Sequence, residues 1–347
     1  VKSLTIRRTV ITLAILSGLL VVTAVAAALL GPEQIGLGRA VAILTGRDAP
    51  LGDIGDANIG RTILLHIRLP RIMLAALVGA TLAVTGAVLQ SILRNPLAEP
   101  HLIGVSAGAA LGVMIAGLVE LPGALVGLTT TSVLAFGGGL AALIVLYQLS
   151  KVQGRIRPET LVLAGVILNG TLTAGIMVLT TYLDPTRFVG RVVWLMGNLG
   201  SLDLGTLGLI GPFLLAGMGL LCLQGHRLTV MTLGPDTAQS LGIRAEFVTR
   251  AGLVVSALLI AVAVSISGMI GFVGIVIPHI LRRLIGSDYR LLLPASVLSG
   301  AIFLIVADTV ARVALSPTEV PVGLVTALCG GPFFLSLLAR RRKLGTV

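Results

Sequence analysis

Nine runs of about twenty apolar residues occupy most of this 347-residue chain, and they constrain its fold more than any other feature. A helix needs roughly 20 predominantly apolar residues to cross a hydrocarbon core of ~30 Å. The runs cover residues 10–30, 72–92, 102–119, 124–149, 160–182, 205–224, 248–267, 291–311 and 321–339. A tenth, Met269 to Leu281, is apolar but short, with Pro278 near its end. None alternates polar and apolar residues as the strands of a transmembrane barrel do. The pattern predicts a polytopic helical bundle. Charge agrees: 11% of residues are charged, against about 25% in a typical soluble domain, too few to cover a water-facing surface.

Basic residues fix the expected sidedness. Lys2, Arg7 and Arg8 precede the first run, and Arg340, Arg341, Arg342 and Lys343 follow the last. Cytoplasmic loops carry an excess of Lys and Arg, so both ends are expected inside, which requires an even number of crossings. Counting the short segment gives ten, and it places 17 of the 25 basic residues on the inner side. At 21 residues the first run exceeds the apolar core of a secretory signal and reads as an uncleaved first helix. The net charge of +11 is then a matter of membrane topology rather than nucleic-acid binding, since the 12 aromatics lie almost all in apolar runs.

The 44 glycines follow no collagen-like period; at this level they suit helices packed closely in a bilayer. Cys222 and Cys329 sit in apolar runs without a C-x-x-C or histidine partner, and read as buried thiols rather than a disulfide or metal site. The lysines are Lys2, Lys151 and Lys343, none after a glycine, which excludes a phosphate-binding loop of the G-x-x-x-x-G-K-[ST] type. Gly104 to Gly108 matches G-x-S-x-G, but it opens a transmembrane run. Gly104, Gly108 and Gly112 read there as a helix-packing face, not a nucleophile elbow.

Few polar groups enter the spans: Gln90, Asn169 and Asp308. Asp308 precedes Arg312 by four residues, the spacing of an intrahelical ion pair. Arg68-Leu69-Pro70-Arg71 falls at the outer surface, where its arginines either snorkel toward headgroups or pair with carboxylates of a docking partner. The longest inner segment, about 225–247, contains a short capped helix. Pro235 suits a first helical position, Asp236 complements the helix dipole, and Gly242 suits a terminator. The outer segment at about 31–69 is the longest on the other side.

Several of these stretches together resemble one family. Arg68 to Arg71, Gly79 to Gln90, Arg94-Asn95-Pro96-Leu97-Ala98-Glu99-Pro100 and Gly104 to Gly108 are similar to the FecCD, or BtuC-like, permeases of ABC importers for iron chelates and cobalamin. So are Gly271 to His279, Leu293-Pro294, Ala307-Asp308 with Ala311-Arg312, and Glu319-Val320-Pro321-Val322-Gly323, in order along the chain.

The resemblance implies an all-α polytopic membrane protein. It would have ten transmembrane helices, both termini cytoplasmic, and a single permease domain over residues 1–347. It implies a homodimer in the bacterial inner membrane, served by two ATP-binding cassette subunits and a periplasmic binding protein. The chain itself would hold no cofactor, ATP and magnesium being bound by the ATPase. It assigns docking to Arg68, Arg71 and Arg312, and ATPase coupling to Pro235, Asp236, Ala238, Leu241 and Gly242. The path would run by Asn169, Met177, Tyr182 and Met196, and the cargo would be a ferric siderophore, with haem and cobalamin as alternatives. Reversing Arg68 and Arg71 to glutamate is expected to weaken docking and leave the fold intact.

Overall fold

The computed structural model describes residues 5–33, 35–45, 59–119, 129–182, 185–200, 202–316 and 318–343, with backbone alone at 44, 185–188, 235–236 and 337–343. Helices dominate. The long ones are α1 (Ile6–Leu29), α3 (Leu69–Ile92), α5 (Thr130–Leu149), α6 (Pro158–Thr180), α8 (Leu204–Leu223), α11 (Ala245–Ser267), α13 (Tyr289–Val313) and α14 (Val322–Lys343). Shorter ones are α2 (Leu37–Leu44), α4 (Val105–Leu118), α7 (Pro185–Leu195), α9 (Gly225–Met231), α10 (Pro235–Ser240) and α12 (Val273–Ile285). A two-stranded hairpin, β1 (Lys151–Val152) with β2 (Arg155–Ile156), joins α5 to α6. Among the described residues, seven helices are long and apolar enough to cross a membrane, and two further apolar helices, Val105–Leu118 and Val322–Ser336, are shorter.

The bundle is built around α3. A π-helical turn at Ile63–Arg68 leads into it, making one helix from Ile59 to Ile92 whose most apolar window is 83% buried. Helices α13, α11, α12, α8 and α1 pack around it. Small residues set these distances. A Cβ on Gly79 would lie 2.3 Å from the Gly300 carbonyl oxygen of α13, and one on Gly86 would lie 2.1 Å from that of Gly274 in α12. No side chain fits at either crossing. Close packing is what holds helices together where lipid removes most of the hydrophobic drive between them.

A second unit pairs α4 with α5. Gly108 and Gly138 meet backbone to backbone, a Cβ on Gly108 lying 2.4 Å from the Gly138 oxygen. The G-x-S-x-G stretch is therefore a packing face, as the spacing predicted. Gly104, at φ +76°, is the left-handed residue from which α4 starts.

Helix α12 departs from the rest. It is 13 residues long, ~20 Å at 1.5 Å per residue, too short to span alone. It begins beside Gly86 of α3, inside the bundle, after a non-helical stretch from Gly268 to Phe272. The short tenth run is thus a broken span, non-helical first and helical second. Cys329 corrects another expectation: it is exposed on α14, while Cys222 is partly buried.

Candidate functional site

Two ends of the bundle carry the polar chemistry. At one end, α1 finishes with carbonyls that have no intrahelical partner. Arg68 Nη1 donates to the oxygens of Ala28 (2.8 Å) and Leu29 (3.3 Å), and Nη2 donates to that of Glu33. Arg312 Nη2 donates to Ala27 O at 3.2 Å and Nη1 to Leu30 O at 3.4 Å. Two guanidinium groups, one from the π-helical turn before α3 and one from α13, thus cap the negative end of α1.

Arg71 completes the network. Its Nε donates to Asp308 Oδ1 at 2.9 Å and its Nη1 to Glu319 Oε2 at 2.8 Å, while Arg312 Nε donates to Asp308 Oδ2 at 3.1 Å. The intrahelical Asp308–Arg312 pair anticipated from spacing is present, and Arg71 is added to it from α3. Asp308 is 1% exposed and the Glu319 side chain 51%, so the network runs from the interior to the surface.

This placement corrects the sequence reading of the arginines as outward groups. Arg68, Arg71 and Arg312 are buried, 3%, 8% and 4% exposed, and each is held by its own chain. For the Arg68→Glu with Arg71→Glu pair, expected from the sequence to leave the fold intact, the burial adds a cost to folding beside any effect on docking. A carboxylate at 71 would face Asp308 and Glu319, and both substitutions would bury charge without a partner.

At the opposite end, α10 is the short helix read from the sequence. Pro235 is in its first turn, and the Pro235 and Asp236 side chains lie outside the described residues. Gly242, at φ +77°, ends it in a Schellman motif: Gly242 N–H donates to Gln239 O and Ile243 N–H to Ala238 O, both at 2.9 Å. Ala238 is fully buried and anchors the helix to the core, whereas Leu233 and Leu241 are 65% and 62% exposed. The result is a rigid knob with an apolar outer surface. Beside it α9, not anticipated, ties to the start of α13, since Tyr289 N–H donates to Thr229 Oγ1 and Thr229 Oγ1 to Asp288 Oδ1. Arg290 bonds Asp288 and holds its carboxyl below the usual range.

Between the ends lies the exposed side of α6. On α6 Met177 is 65% exposed and Asn169 half-buried; Tyr182, two residues past its end, is 74% exposed, and Met196, just after α7, 37%. Leu163, Val166 and Ile167 continue the exposed surface. The structure therefore leaves Met177, Tyr182 and Met196 exposed on this one subunit, with Asn169 half-buried.

Three further polar side chains join segments distant in the chain. Gln90 Nε2 donates to Ala98 O (3.2 Å) and Gly274 O (2.9 Å), and its Oε1 accepts from Arg282 Nη1. Glu99 Oε1 accepts from Phe272 N–H at 2.5 Å, and His101 Nε2 pairs with Ile270 O at 2.9 Å. A glutamine inside an apolar run was a visible signal; that Glu99 and His101 reach a segment some 170 residues away was not. Ser106 is buried and His101 is engaged with Ile270 O, so these two do not form a nucleophile–base pair among the described residues.

Comparison with known proteins decides the family. The FecCD transport family matches residues 19–340. The chain belongs to that family. It is 42% identical over 283 residues to the hemin transport system permease of Yersinia pestis, covering 81% of this chain and 84% of that protein. It is 39% identical over 293 residues to the cobalamin import system permease of Halobacterium salinarum (84% and 77%). Against the probable iron chelatin transport permease of Helicobacter pylori the identity is 39% over 287 residues (81% and 83%). A metal-chelate type ABC transporter solved in an inward-facing conformation superposes with a TM-score of 0.80 at 32% identity, covering 94% of this chain and 98% of that one. This FecCD chain is an ABC transporter permease, a membrane transport subunit and not an enzyme.

Proposed function

We propose that this chain is one half of the membrane channel of a binding-protein-dependent ABC importer in a bacterial inner membrane, and that it passes an iron chelate inward by ATP-driven alternating access. The observation that carries the reading is the family match across residues 19–340 together with the fold it shares with the metal-chelate transporter. Ten crossings, with both termini cytoplasmic, are supported by the seven long apolar helices with α4, α12 and α14 added to them. A second copy of the chain would close the path along the exposed surface of α6, by Asn169, Met177, Tyr182 and Met196. Nothing in that surface demands tight binding, and a passage that bound its cargo tightly would release it slowly.

Two ATP-binding cassette subunits, which hold the ATP and magnesium, would grip α10. Its Pro235, Asp236, Ala238, Leu241 and Gly242 form a capped knob, and Leu241 and Leu233 offer apolar surface to a cleft. A periplasmic binding protein would dock at the arginine end. Because Arg71 is already paired, docking there is an exchange: an acidic side chain of the partner displaces Glu319, the exposed member of the network. Arg68 and Arg312 act from behind by holding α1.

The cargo we propose is a ferric siderophore. Haem is the second reading, favoured by the 42% identity to the hemin permease, and cobalamin the third. The test is uptake into proteoliposomes containing the permease, its ATPase and the binding protein loaded in turn with each cargo. ATP-dependent uptake of the siderophore supports the reading. Uptake of haem or cobalamin alone moves the assignment to that cargo. No uptake, and no stimulation of the ATPase by any loaded binding protein, overturns the importer reading.

A further inference from the structure

We propose that Glu99 is a positioning residue for transport: its carboxylate holds the broken helix α12 in register against the loop 93–104, and release of that hold is part of the change between the two states of the permease. The proposal rests on the importer reading above.

A helix that starts within a bundle leaves its first amides without intrahelical partners. Such a start is stable only if another segment supplies acceptors. Here the supplier is the loop after α3. Glu99 Oε1 accepts the Phe272 N–H at 2.5 Å, placing a carboxylate at the positive end of α12. His101 pairs with Ile270 O, and Gln90 bridges Ala98 O of the loop and Gly274 O of α12. The seam between loop and broken helix is thus made of side-chain to backbone bonds, which can exchange without repacking a core.

Backbone strain marks the same place. Three described residues other than glycine have positive φ, and two of them, Arg94 at +49° and Phe272 at +69°, stand on either side of this seam. Strained residues of this kind persist only where surroundings hold them, and they gather at switches. Phe272 also reaches a further helix. A Cβ on Gly330 of α14 would lie 2.3 Å from its Cγ, so the ring fills a notch that only glycine leaves open. A displacement of the loop passes through Glu99 to Phe272 and from there to α14.

The test uses the full complex with its ATPase and binding protein, comparing Glu99→Ala, Glu99→Asp and Glu99→Gln. Glutamine keeps an acceptor at the same reach; aspartate keeps the charge but is one methylene short. Hydrogen exchange at the first turn of α12 is expected to rise about ten-fold or more in the Ala and Asp variants and to stay near wild type in Gln. The ratio of binding-protein-stimulated to basal ATPase is expected to fall about ten-fold in the same two variants and to be kept in Gln. If Glu99→Ala fails to assemble, the Asp and Gln pair decides alone. An Asp variant that couples like wild type, or a Gln variant as impaired as Asp, overturns the proposal. Wild-type complex that takes up no cargo, with the exchange pattern as expected, counts against the importer reading and not against the Glu99–α12 hold.

Discussion

Helices α3 and α6 are nearly alike in mean hydropathy, 2.3 for the helix containing α3 and 2.0 for α6, yet their most apolar windows are 83% and 17% buried. Hydropathy places both in the membrane and says nothing about which is inside. Residue size does. Along α3, Ala75, Gly79, Ala83, Gly86 and Ala87 line up small surfaces against which α13 and α12 pack with backbone contact. On α6 only Gly165 makes such an approach, with a Cβ there lying 2.5 Å from Leu102 O, while Gly170 has open space around it. A helix whose glycines are filled by neighbours is scaffold; one whose glycines look outward is a face awaiting a partner, cargo or lipid.

The hardest way to break this comparison is at a crossing. Gly86→Leu drives a side chain into the Gly274 backbone and is expected to cost more than about 4 kcal/mol, leaving little folded protein in size-exclusion chromatography. Gly170→Leu on α6 is expected to leave the subunit monodisperse. Equal behaviour of the two would remove the distinction. Next comes Asp308→Ala, which removes the buried carboxylate shared by Arg71 and Arg312 and leaves them Glu319 and the α1 carbonyls; about 3 kcal/mol of stability is expected to go, read as a lowered Tm in detergent.

How far the sequence foretold this is clearest from particular residues. The spans were legible because apolar length is a local property, and so was α10, whose Pro235 and Gly242 are local start and stop signals. The Asp308–Arg312 pair was legible because four residues is one helical turn. The burial of Arg71 was not, because its partner Asp308 lies 237 residues away on another helix. For the same reason the inward start of α12 was hidden: a run of apolar residues reads alike whether extended or helical, and the acceptor that permits the break, Glu99, belongs to a distant loop.

Smaller effects sharpen the picture. Met177→Ala on α6 is expected to change subunit stability by less than about 0.5 kcal/mol, measured by Tm, because the side chain is 65% exposed. Asp288 gives a pH signature at the coupling end. Arg290 holds its folded pKa below the ordinary value, so its stabilisation is present above about pH 4 and fades as pH falls through the folded pKa. The carboxylate is partly solvated, so Asp288→Asn is expected to remove under about 1 kcal/mol at neutral pH and to flatten the acid limb of the Tm profile.

The most direct measurement on the central claim, that α6 lines a passage while α3 is scaffold, is thiol accessibility in the assembled transporter in lipid. Cys222 and Cys329 are first replaced, and single cysteines are placed at Met177, at Tyr182, at Ala83 of α3 and at Val22, which is 64% exposed on α1. A hydrophilic maleimide is predicted to label the positions at Met177 and Tyr182, with the Met177 signal reduced while cargo is in transit, and to leave those at Ala83 and Val22 unlabelled. If the cysteine at Met177 is as unreactive as the one at Val22, α6 faces lipid and the passage lies elsewhere.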